Sequence, residues 1–294
     1  WQDAAVLAVD EAGKTFIPLL GGHHGGNRLA RDLADRLGGI AAITTPGDAM
    51  LGLALDEPPK GWKLGTPETV KPATAALLAG ASARLEVEAG SAAWLTNSTL
   101  PQSEDGTILI TATAREGADD DAISDVSDTA ITYHPPVLAL GVGCERGCPI
   151  DDLYDLVTET LAGQCLSVKA IACVTSIDLK ADEACVHELA RRLGVPARFF
   201  DAQTLEAEAE RLVTPSDVVF AETGCHGVAE GAALATVGPN GKLIVPKHKT
   251  KRATCAVALS QDDISPETVG KAQGKLSIVG IGPGQIGWRS PEAS

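Results

Sequence analysis

The sequence is poor in aromatic residues and short of positive charge. Aromatic side chains make up 3% of its 294 residues, and 24 lysines and arginines stand against 39 aspartates and glutamates, a formal net charge of −15. So acidic a chain is unsuited to binding nucleic acid or an anionic membrane surface. It also lacks an apolar run approaching the roughly 18 residues of a membrane span. We therefore expect neither a membrane helix nor a signal peptide.

Cysteine is absent from the first half of the chain. All seven cysteines lie in the second half, at Cys144, Cys148, Cys165, Cys173, Cys185, Cys225 and Cys255. An odd number, with several inside apolar segments, predicts reduced thiols in a cytoplasmic protein. Cys144 and Cys148 have a CxxxC spacing, and Cys225 precedes His226, but no second close pair supports a zinc site. We therefore predict no metal centre.

Alanine, glycine, valine and leucine dominate the composition. This is typical of α/β proteins, and the length admits one to three domains. We predict an α/β fold: two domains with mostly parallel sheets and flanking helices, plus a small α+β middle segment. The expected divisions are a partial N-terminal region over 1–55, the middle segment and linker over 56–136, a C-terminal domain over 137–260, and the opening strand of another domain over 274–294.

Local patterns predict several individual elements. Apolar periodicity predicts a helix over 181–193 whose buried stripe is Cys185, Val186, Leu189, Ala190 and Leu193. Residues 217–221 are rich in β-prone side chains and predict a strand, and 242–246 with 253–260 predict a hairpin. Residues 92–95 look β-like. Residues 133–136, which contain His134, are expected to form an extended linker.

A glycine-rich stretch near the N-terminus joins a strand to a helix. Residues 15–20 predict the strand, four glycines then bracket His23 and His24, and Asn27 is expected to cap a helix ending at Leu37. The free backbone amides of such a turn favour an anionic group. The two imidazoles could belong to a reaction centre, or they could be exposed side chains of a tight turn. Residues 223–227 (Thr-Gly-Cys-His-Gly) are expected to repeat this device, with a strand before them and a helix after.

A third predicted strand, over 40–45, runs into the polar residues Thr44, Thr45 and Asp48. Ligands bind at the carboxyl ends of strands in open α/β sheets, so these side chains could face the same crevice as the histidine pair. Ordinary turn chemistry explains them equally well.

Five segments in two parts of the chain form a combination that is more specific than any one of them. They are Ile17–Arg31 with Ile43–Asp48, Gly141–Gly147, Ser176–Lys180 with Glu183, Val228–Leu234, and Lys249–Ala258. Together they resemble the cobalt-precorrin-5A hydrolase family of cobalamin biosynthesis (the CbiG type) and its shorter relative, CobE. The resemblance has two departures. The family's N-terminal portion is largely missing here, and the turn has Gly21 where serine is common and no alanine before Asn27.

A second resemblance lies near the C-terminal end of the sequence. Residues 274–284 (Gly-Lys-Leu-Ser-Ile-Val-Gly-Ile-Gly-Pro-Gly) resemble the first strand and glycine loop of S-adenosylmethionine-dependent tetrapyrrole methyltransferases, notably precorrin-3B C17-methyltransferase. We expect this segment to be the start of a fused methyltransferase domain.

The resemblance implies a reaction and a substrate. A family member opens the δ-lactone on the ring A acetate of cobalt-precorrin-5A and releases the extruded carbon as acetaldehyde, giving cobalt-precorrin-5B. Cobalt would enter only as part of the corrinoid, with no intrinsic cofactor. The alternative is a non-catalytic corrinoid carrier fused to a precorrin-3B C17-methyltransferase, the fused polypeptide acting as the methyltransferase. Expected partners are the corrinoid, a fused or neighbouring precorrin methyltransferase and a second copy in a homodimer.

Lactone hydrolysis needs a base, donors for the carbonyl oxygen and contacts to peripheral carboxylates. For the base we predict His23 or His24 first, and then Glu222 and His226. The predicted substrate-binding residues are Gly22, Gly25, Gly26, Asn27, Thr44, Thr45, Asp48, Glu145, Arg146, Lys249 and Lys251.

The two lysines belong to a basic run, Lys247, His248, Lys249, Lys251 and Arg252, that could hold propionates or could simply be a solvated hairpin. Glu230 and Asp178 are expected to be caps or ion-pair partners, and His187 to be packed.

Overall fold

The computed structural model describes residues 4–22, 25–43, 50–117 and 130–273, arranged in three β-sheets with helices between their strands. The first sheet is small. Strands β1 (Val6–Val9) and β2 (Thr15–Leu20) form an antiparallel hairpin, and β3 (Ile40–Ala41) pairs parallel to β2. Helix α1 (Gly26–Leu37) buries Ala30 and Ala34 against Phe16 of this sheet. The N-terminal region is thus a mixed sheet covered by one helix.

The start of α1 differs from the prediction. Gly25, with φ of 94°, occupies the N-cap position, and Asn27 lies inside the helix with 2% of its surface exposed. A β-carbon on Gly26 would lie 2.8 Å from the carbonyl oxygen of Gly21, so the chain folds back closely on itself here. The tight turn therefore moves the N-cap two residues earlier, from Asn27 to Gly25.

The middle segment contains the second sheet, in the order β4, β7, β6, β5. These strands span Lys63–Leu64, Ile131–His134, Ile108–Ala112 and Ala83–Val87, respectively. Strands β5, β6 and β7 are parallel, and β4 is antiparallel to β7. Helices α2 (Pro67–Leu78) and α3 (Ala93–Thr96) accompany the sheet. The segment is therefore built more like a parallel α/β unit than the α+β segment expected.

Two local predictions fail in this segment. The β-like run at 92–95 is helix α3, where Trp94 makes edge-to-face contacts with Trp62 and Tyr133 at centroid distances of 5.6 and 5.1 Å. Tyr133 and His134 belong to β7 rather than to a linker, and His134 Nδ1 lies 2.9 Å from the carbonyl oxygen of Thr113. Packing of Trp62, Trp94 and Tyr133 against one another outweighs the local sequence preference for a strand at 92–95 and a linker at 133–136.

The third sheet has five strands in the order β10, β9, β8, β12, β11. Strands β8 (Leu138–Cys144), β9 (Ile171–Ile177) and β10 (Ala197–Phe200) are parallel. Strands β12 (Ala253–Leu259) and β11 (Lys242–Lys249) form a hairpin whose β12 pairs antiparallel to β8. The mixed α/β class is confirmed, although this sheet is parallel only on one side of β8.

Five helices of the described residues accompany this sheet: α4 (Ile150–Gly163), α5 (Ala184–Leu193), α6 (Ala202–Glu206), α7 (Asp217–Thr223) and α8 (Val228–Val237). The predicted stripe of α5 is confirmed, since all five of its residues are buried in the largest core cluster. Helix α8 packs against β8, β9 and β12. A β-carbon on Gly141 of β8 would lie 1.9 Å from the carbonyl oxygen of Ala229, so strand and helix are in close contact.

The strand predicted over 217–221 is wrong, because these residues form α7. Ser216 Oγ accepts from the amide of Val219 at 3.4 Å, and Gly224, with φ of 79°, ends the helix. None of the helix's residues is buried, so its valines contribute to no core. Residues 223–227 consequently follow a helix, and the proposed repeat of the N-terminal device fails on its first element.

Direct contacts join the middle segment to the C-terminal sheet. Trp62 Nε1 donates to Asp263 Oδ2 at 2.7 Å, and Lys169 Nζ donates to the carbonyl oxygen of Gly65 at 3.0 Å. Across the described ranges, no helix is both long and apolar enough to cross a membrane.

Candidate active site

A cleft of about 760 Å³ opens at the carboxyl end of β8, beside the amino terminus of α8 and the free end of the β11–β12 hairpin. The sheet edge explains its position, because chain segments leaving parallel strands diverge there and leave a crevice. Its walls include five of the predicted site residues: Glu145, Arg146, Glu222, Lys249 and Lys251. The fold thus brings together residues that are more than 100 positions apart in the sequence.

Cationic side chains dominate one part of the cleft wall, where Arg146, Lys180, Lys247, Lys249, Lys251 and Arg252 all contribute. Lys247 Nζ donates to the carbonyl oxygen of Thr214 at 3.1 Å, and Arg252 Nε lies 3.7 Å from Glu145 Oε2. Lys249 and Lys251 sit at the exposed end of the hairpin. This concentration of positive charge in a chain of net charge −15 favours an anionic ligand.

Arg146 is held by a neighbouring carboxylate. Its Nη1 donates to both oxygens of Asp182 at 2.7 and 2.8 Å, and Nη2 donates to the carbonyl oxygen of Leu179 at 3.0 Å. The guanidinium lowers the pKa of Asp182 below its usual range. Because the two side chains are 61% and 64% exposed, the pair is a weak one, and a ligand carboxylate could take the place of Asp182.

Glu230 is a structural brace in the cleft wall. It is 2% exposed and accepts hydrogen bonds from the amides of Val213, Thr214 and Lys247 at 2.8, 3.0 and 2.8 Å, and from Thr214 Oγ1 at 2.9 Å. Burial acts to raise the pKa of Glu230, but the amide and hydroxyl donors bring it below its ordinary value. The expectation for Glu230 is a cap or an ion-pair partner; its hydrogen bonds instead join α8 to β11 and to the loop before α7.

The two predicted acid–base residues of this domain separate in space. Glu222 lines the cleft, whereas His226 is absent from its walls. His226 Nδ1 lies 2.8 Å from Glu206 Oε1, its amide donates to Glu206 Oε2 at 2.9 Å, and its ring stacks on Phe220 at 4.4 Å. The amide of His226, followed by its ring, lowers the pKa of Glu206. These contacts make His226 an anchor for α7.

Cys144 is a cleft residue that sequence reasoning considered only as a metal ligand. Its Sγ lies 3.4 Å from Cys185 Sγ, and Cys185 is 4% exposed. The Cys185 thiol lowers the pKa of Cys144; burial opposes this, and nearby Lys180 assists it. Burial raises the pKa of Cys148 to about 11. Cys144 ends a buried strand at the sheet's ligand-binding edge, a placement that could have drawn attention to it.

All seven cysteines are free. Among the residues the structure describes, no group of three or more histidine, cysteine, aspartate or glutamate side chains is arranged to hold a metal ion.

The predicted N-terminal site residues do not line this cleft where they are described. Gly22, Gly25, Gly26 and Asn27 form the turn into α1, and the buried Nδ2 of Asn27 has no hydrogen-bond partner within the described ranges. The predictions for His23, His24, Thr44, Thr45 and Asp48 lie outside the described residues, as does the proposed start of a methyltransferase at 274–294.

Comparison with protein-family models matches two parts of the chain. Residues 1–48 match the model described as "Cobalamin synthesis G N-terminal", and residues 138–258 match "Cobalamin synthesis G C-terminus". Every residue that lines the cleft lies within the second match.

Curated relatives agree with these models. Cobalt-precorrin-5A hydrolase of Priestia megaterium is 30% identical over 271 residues, which cover 87% of this chain and 72% of that protein. The protein of the same name from Salmonella typhimurium is 28% identical over 251 residues, covering 79% and 68%, respectively. Protein CobE of a Sinorhizobium species is 47% identical over 121 residues, which cover 41% of this chain and 79% of CobE.

Proposed function

The chain belongs to the cobalt-precorrin-5A hydrolase family and is a hydrolase-like enzyme of cobalamin biosynthesis, and we propose that it opens the ring A δ-lactone of cobalt-precorrin-5A. Water adds across the acyl C–O bond. The products of that step are a carboxylate on the ring A acetate and a hydroxyl on the extruded carbon, which then leaves as acetaldehyde to give cobalt-precorrin-5B.

The observation that supports this most is the cationic cleft at the carboxyl end of β8. Its volume of about 760 Å³ is within the usual range for small-molecule sites. A corrinoid of this stage carries many peripheral carboxylates, and we propose that Lys180, Lys249 and Lys251, which line the cleft, bind them. Because surface charge of this kind is screened by salt, substrate binding should weaken as ionic strength rises.

The cleft also offers groups for the chemical step. Glu222 lines it and is the candidate base among the described residues, with His23 and His24 remaining predictions outside them. Val228 and Ala229, in the first turn of α8, line the same cleft. First-turn amides have no acceptor within their own helix, so they can hold the oxygen on which negative charge develops.

Cobalt enters this site as part of the corrinoid, and lactone hydrolysis requires no cofactor of the protein's own. We propose a neighbouring precorrin methyltransferase and a second copy of the chain as partners. A methyltransferase fused to a carrier module is not supported by the comparisons with known proteins, which match hydrolases over most of this chain.

The deciding experiment incubates the protein with cobalt-precorrin-5A and follows acetaldehyde and corrinoid mass together. We expect acetaldehyde in proportion to cobalt-precorrin-5B. Glu222→Gln should lower kcat by about 100-fold if Glu222 is the base, while Glu159→Gln, an exposed carboxylate of α4 away from the cleft, should leave it unchanged. Corrinoid binding without any acetaldehyde would favour a carrier and refute the hydrolase.

The cationic wall is tested separately by replacing Lys249 and Lys251 with alanine. Loss of two charge contacts should weaken corrinoid binding about 10-fold at low salt and reduce its salt dependence. Lys242→Ala is the matched control, since Lys242 is exposed at the other end of β11 and does not line the cleft. Equal effects of the double and the control variants on the dissociation constant would show that the hairpin does not bind the substrate.

A further inference from the structure

Most charged groups in the cleft wall already have a partner. Glu230 accepts four hydrogen bonds, Arg146 is held by Asp182, and Lys247 donates to Thr214. Among the described residues lining the cleft, Cys144 alone carries a thiol. A thiolate is intrinsically a stronger nucleophile than a carboxylate or a hydroxyl, so its position relative to a carbonyl substrate matters.

The backbone holds Cys144 firmly at the edge of the cleft. It is the last residue of β8 and pairs with Ala253 of β12, and the next amide, that of Glu145, donates to the carbonyl oxygen of Arg252 at 2.9 Å. A reactive side chain on a central strand keeps its position better than one on a loop.

The two thiols of the pair have different surroundings. Cys144 is partly exposed to the cleft, while Cys185 is buried in the apolar stripe of α5. Either sulfur could donate across their 3.4 Å separation. Because burial disfavours the thiolate of Cys185, we infer that Cys185 donates to Cys144. A thiolate at Cys144 is favoured further by Lys180 on the cleft wall and opposed by Glu183 and Cys148. Cys185 thus acts through Cys144.

The amino end of α8 also borders the cleft, on the opposite face of the sheet from the Cys144–Cys185 pair. Gly143 precedes Cys144, and a β-carbon on it would lie 3.7 Å from Val228 Cγ1, so the end of β8 touches the first turn of α8. The amino end of a helix carries partial positive charge in addition to its free amides. This helix end therefore adds positive potential to the cleft in which Cys144 lies.

From this geometry we propose that Cys144 is the nucleophile of the lactone opening and that Cys185 is its positioning residue. The Cys144 thiolate adds to the lactone carbonyl carbon, and the ring C–O bond breaks. The extruded carbon keeps that oxygen, which takes up a proton. Water then cleaves the thioester, giving the ring A carboxylic acid and restoring the thiol. One water is consumed, and nothing is oxidised or reduced. This inference rests on the proposed function.

The first test looks for the thioester itself. The reaction of the unmodified protein with cobalt-precorrin-5A is quenched in acid within the first turnover, and peptides are analysed by mass. The peptide containing Cys144 should carry the corrinoid mass. Cys144→Ala should lose at least 100-fold in acetaldehyde release, while its corrinoid dissociation constant stays within threefold of the unmodified protein's.

The outcomes separate the two proposals. If the unmodified protein releases acetaldehyde and Cys144→Ala does so within fivefold of that rate, the nucleophile is refuted and the hydrolase proposal stands. If the unmodified protein releases none, the hydrolase proposal fails and the nucleophile falls with it. Circular dichroism and urea unfolding confirm that the variant is folded.

The second test examines Cys185 without substrate, by measuring iodoacetamide alkylation of Cys144 against pH. Cys185→Ser keeps a hydroxyl donor, whereas Cys185→Ala removes the donor altogether. We expect the alkylation midpoint to move to higher pH in Cys185→Ala and to be largely restored in Cys185→Ser. Arg146, Lys180, Glu183 and Cys148 also face the thiol and are unchanged in both variants.

Exposed Cys165, alkylated in the same samples, is the reference for reagent and pH. The same midpoint in Cys185→Ala as in the unmodified protein would overturn the role of Cys185.

Discussion

Replacing Glu230 with glutamine should destabilise the C-terminal unit and open one wall of its cleft. The carboxylate is 2% exposed and accepts four hydrogen bonds, three of them from backbone amides. A hydrogen bond to a charged acceptor contributes about 1.5–3 kcal/mol to stability. Glutamine keeps one acceptor oxygen and turns the other into an amide that faces donors, so roughly half of these bonds are lost. We expect a loss of about 3 kcal/mol in the free energy of unfolding at pH 7.

Urea unfolding at several pH values measures this loss and its cause. The pKa of Glu230 is lowered in the folded protein, so its contribution to stability is fully present above the pKa of an unfolded glutamate, near 4.5. That contribution disappears as pH falls through the lower, folded value. The difference between the unmodified protein and Glu230→Gln should therefore be constant from pH 7 to about pH 5 and shrink in stronger acid.

Glu222→Gln is the matched control because Glu222 lines the same cleft with an exposed side chain. Its free energy of unfolding should change by less than about 0.5 kcal/mol. Equal stability of Glu230→Gln and this control at pH 7 would show that the Glu230 carboxylate does not stabilise the fold. A deficit that persists unchanged to pH 3 would show that the lost stability does not depend on the charge of Glu230.

Two further predictions concern packing. Gly141→Ala should lower the free energy of unfolding in urea by about 3 kcal/mol or more, because the new β-carbon would meet the backbone of α8. Gly163→Ala is the control: the end of α4 has open space around it, so this variant should be more stable by up to about 1 kcal/mol. Equal stabilities of the two variants would contradict the close contact between β8 and α8. Asp263→Ala should lower the free energy of unfolding by about 1–2 kcal/mol, because it leaves the buried indole N–H of Trp62 without its acceptor. Asp262 is exposed, and Asp262→Ala should leave the free energy of unfolding unchanged. The same stability in both variants would show that the hydrogen bond between Trp62 and Asp263 is not formed in solution.

The local sequence pattern predicted an element correctly where the residues that determine its structure lie within that element. The stripe of α5 follows from the 3.6-residue period of its apolar side chains, and Gly194 ends the helix in the left-handed conformation that glycine favours. Strand β2 has the bounds that its β-prone run predicts. Residues 217–221 show the limit of this reasoning. Their β-prone side chains form a helix that Ser216 and Gly224 cap, and none of the helix's residues is buried.

By itself, the sequence determined the family, the α/β class, most helices and strands, and five wall residues of the cleft whose roles remain predictions. Only the tertiary structure decided which side chains act on one another. In the structure, His226 contacts Glu206, and Glu230 accepts hydrogen bonds from donors on other segments. Cys144 contacts Cys185, 41 positions away, whereas the CxxxC spacing had pointed to Cys148. The physical reason is that periodicity reports which face of an element is buried, whereas a partner depends on how distant elements pack.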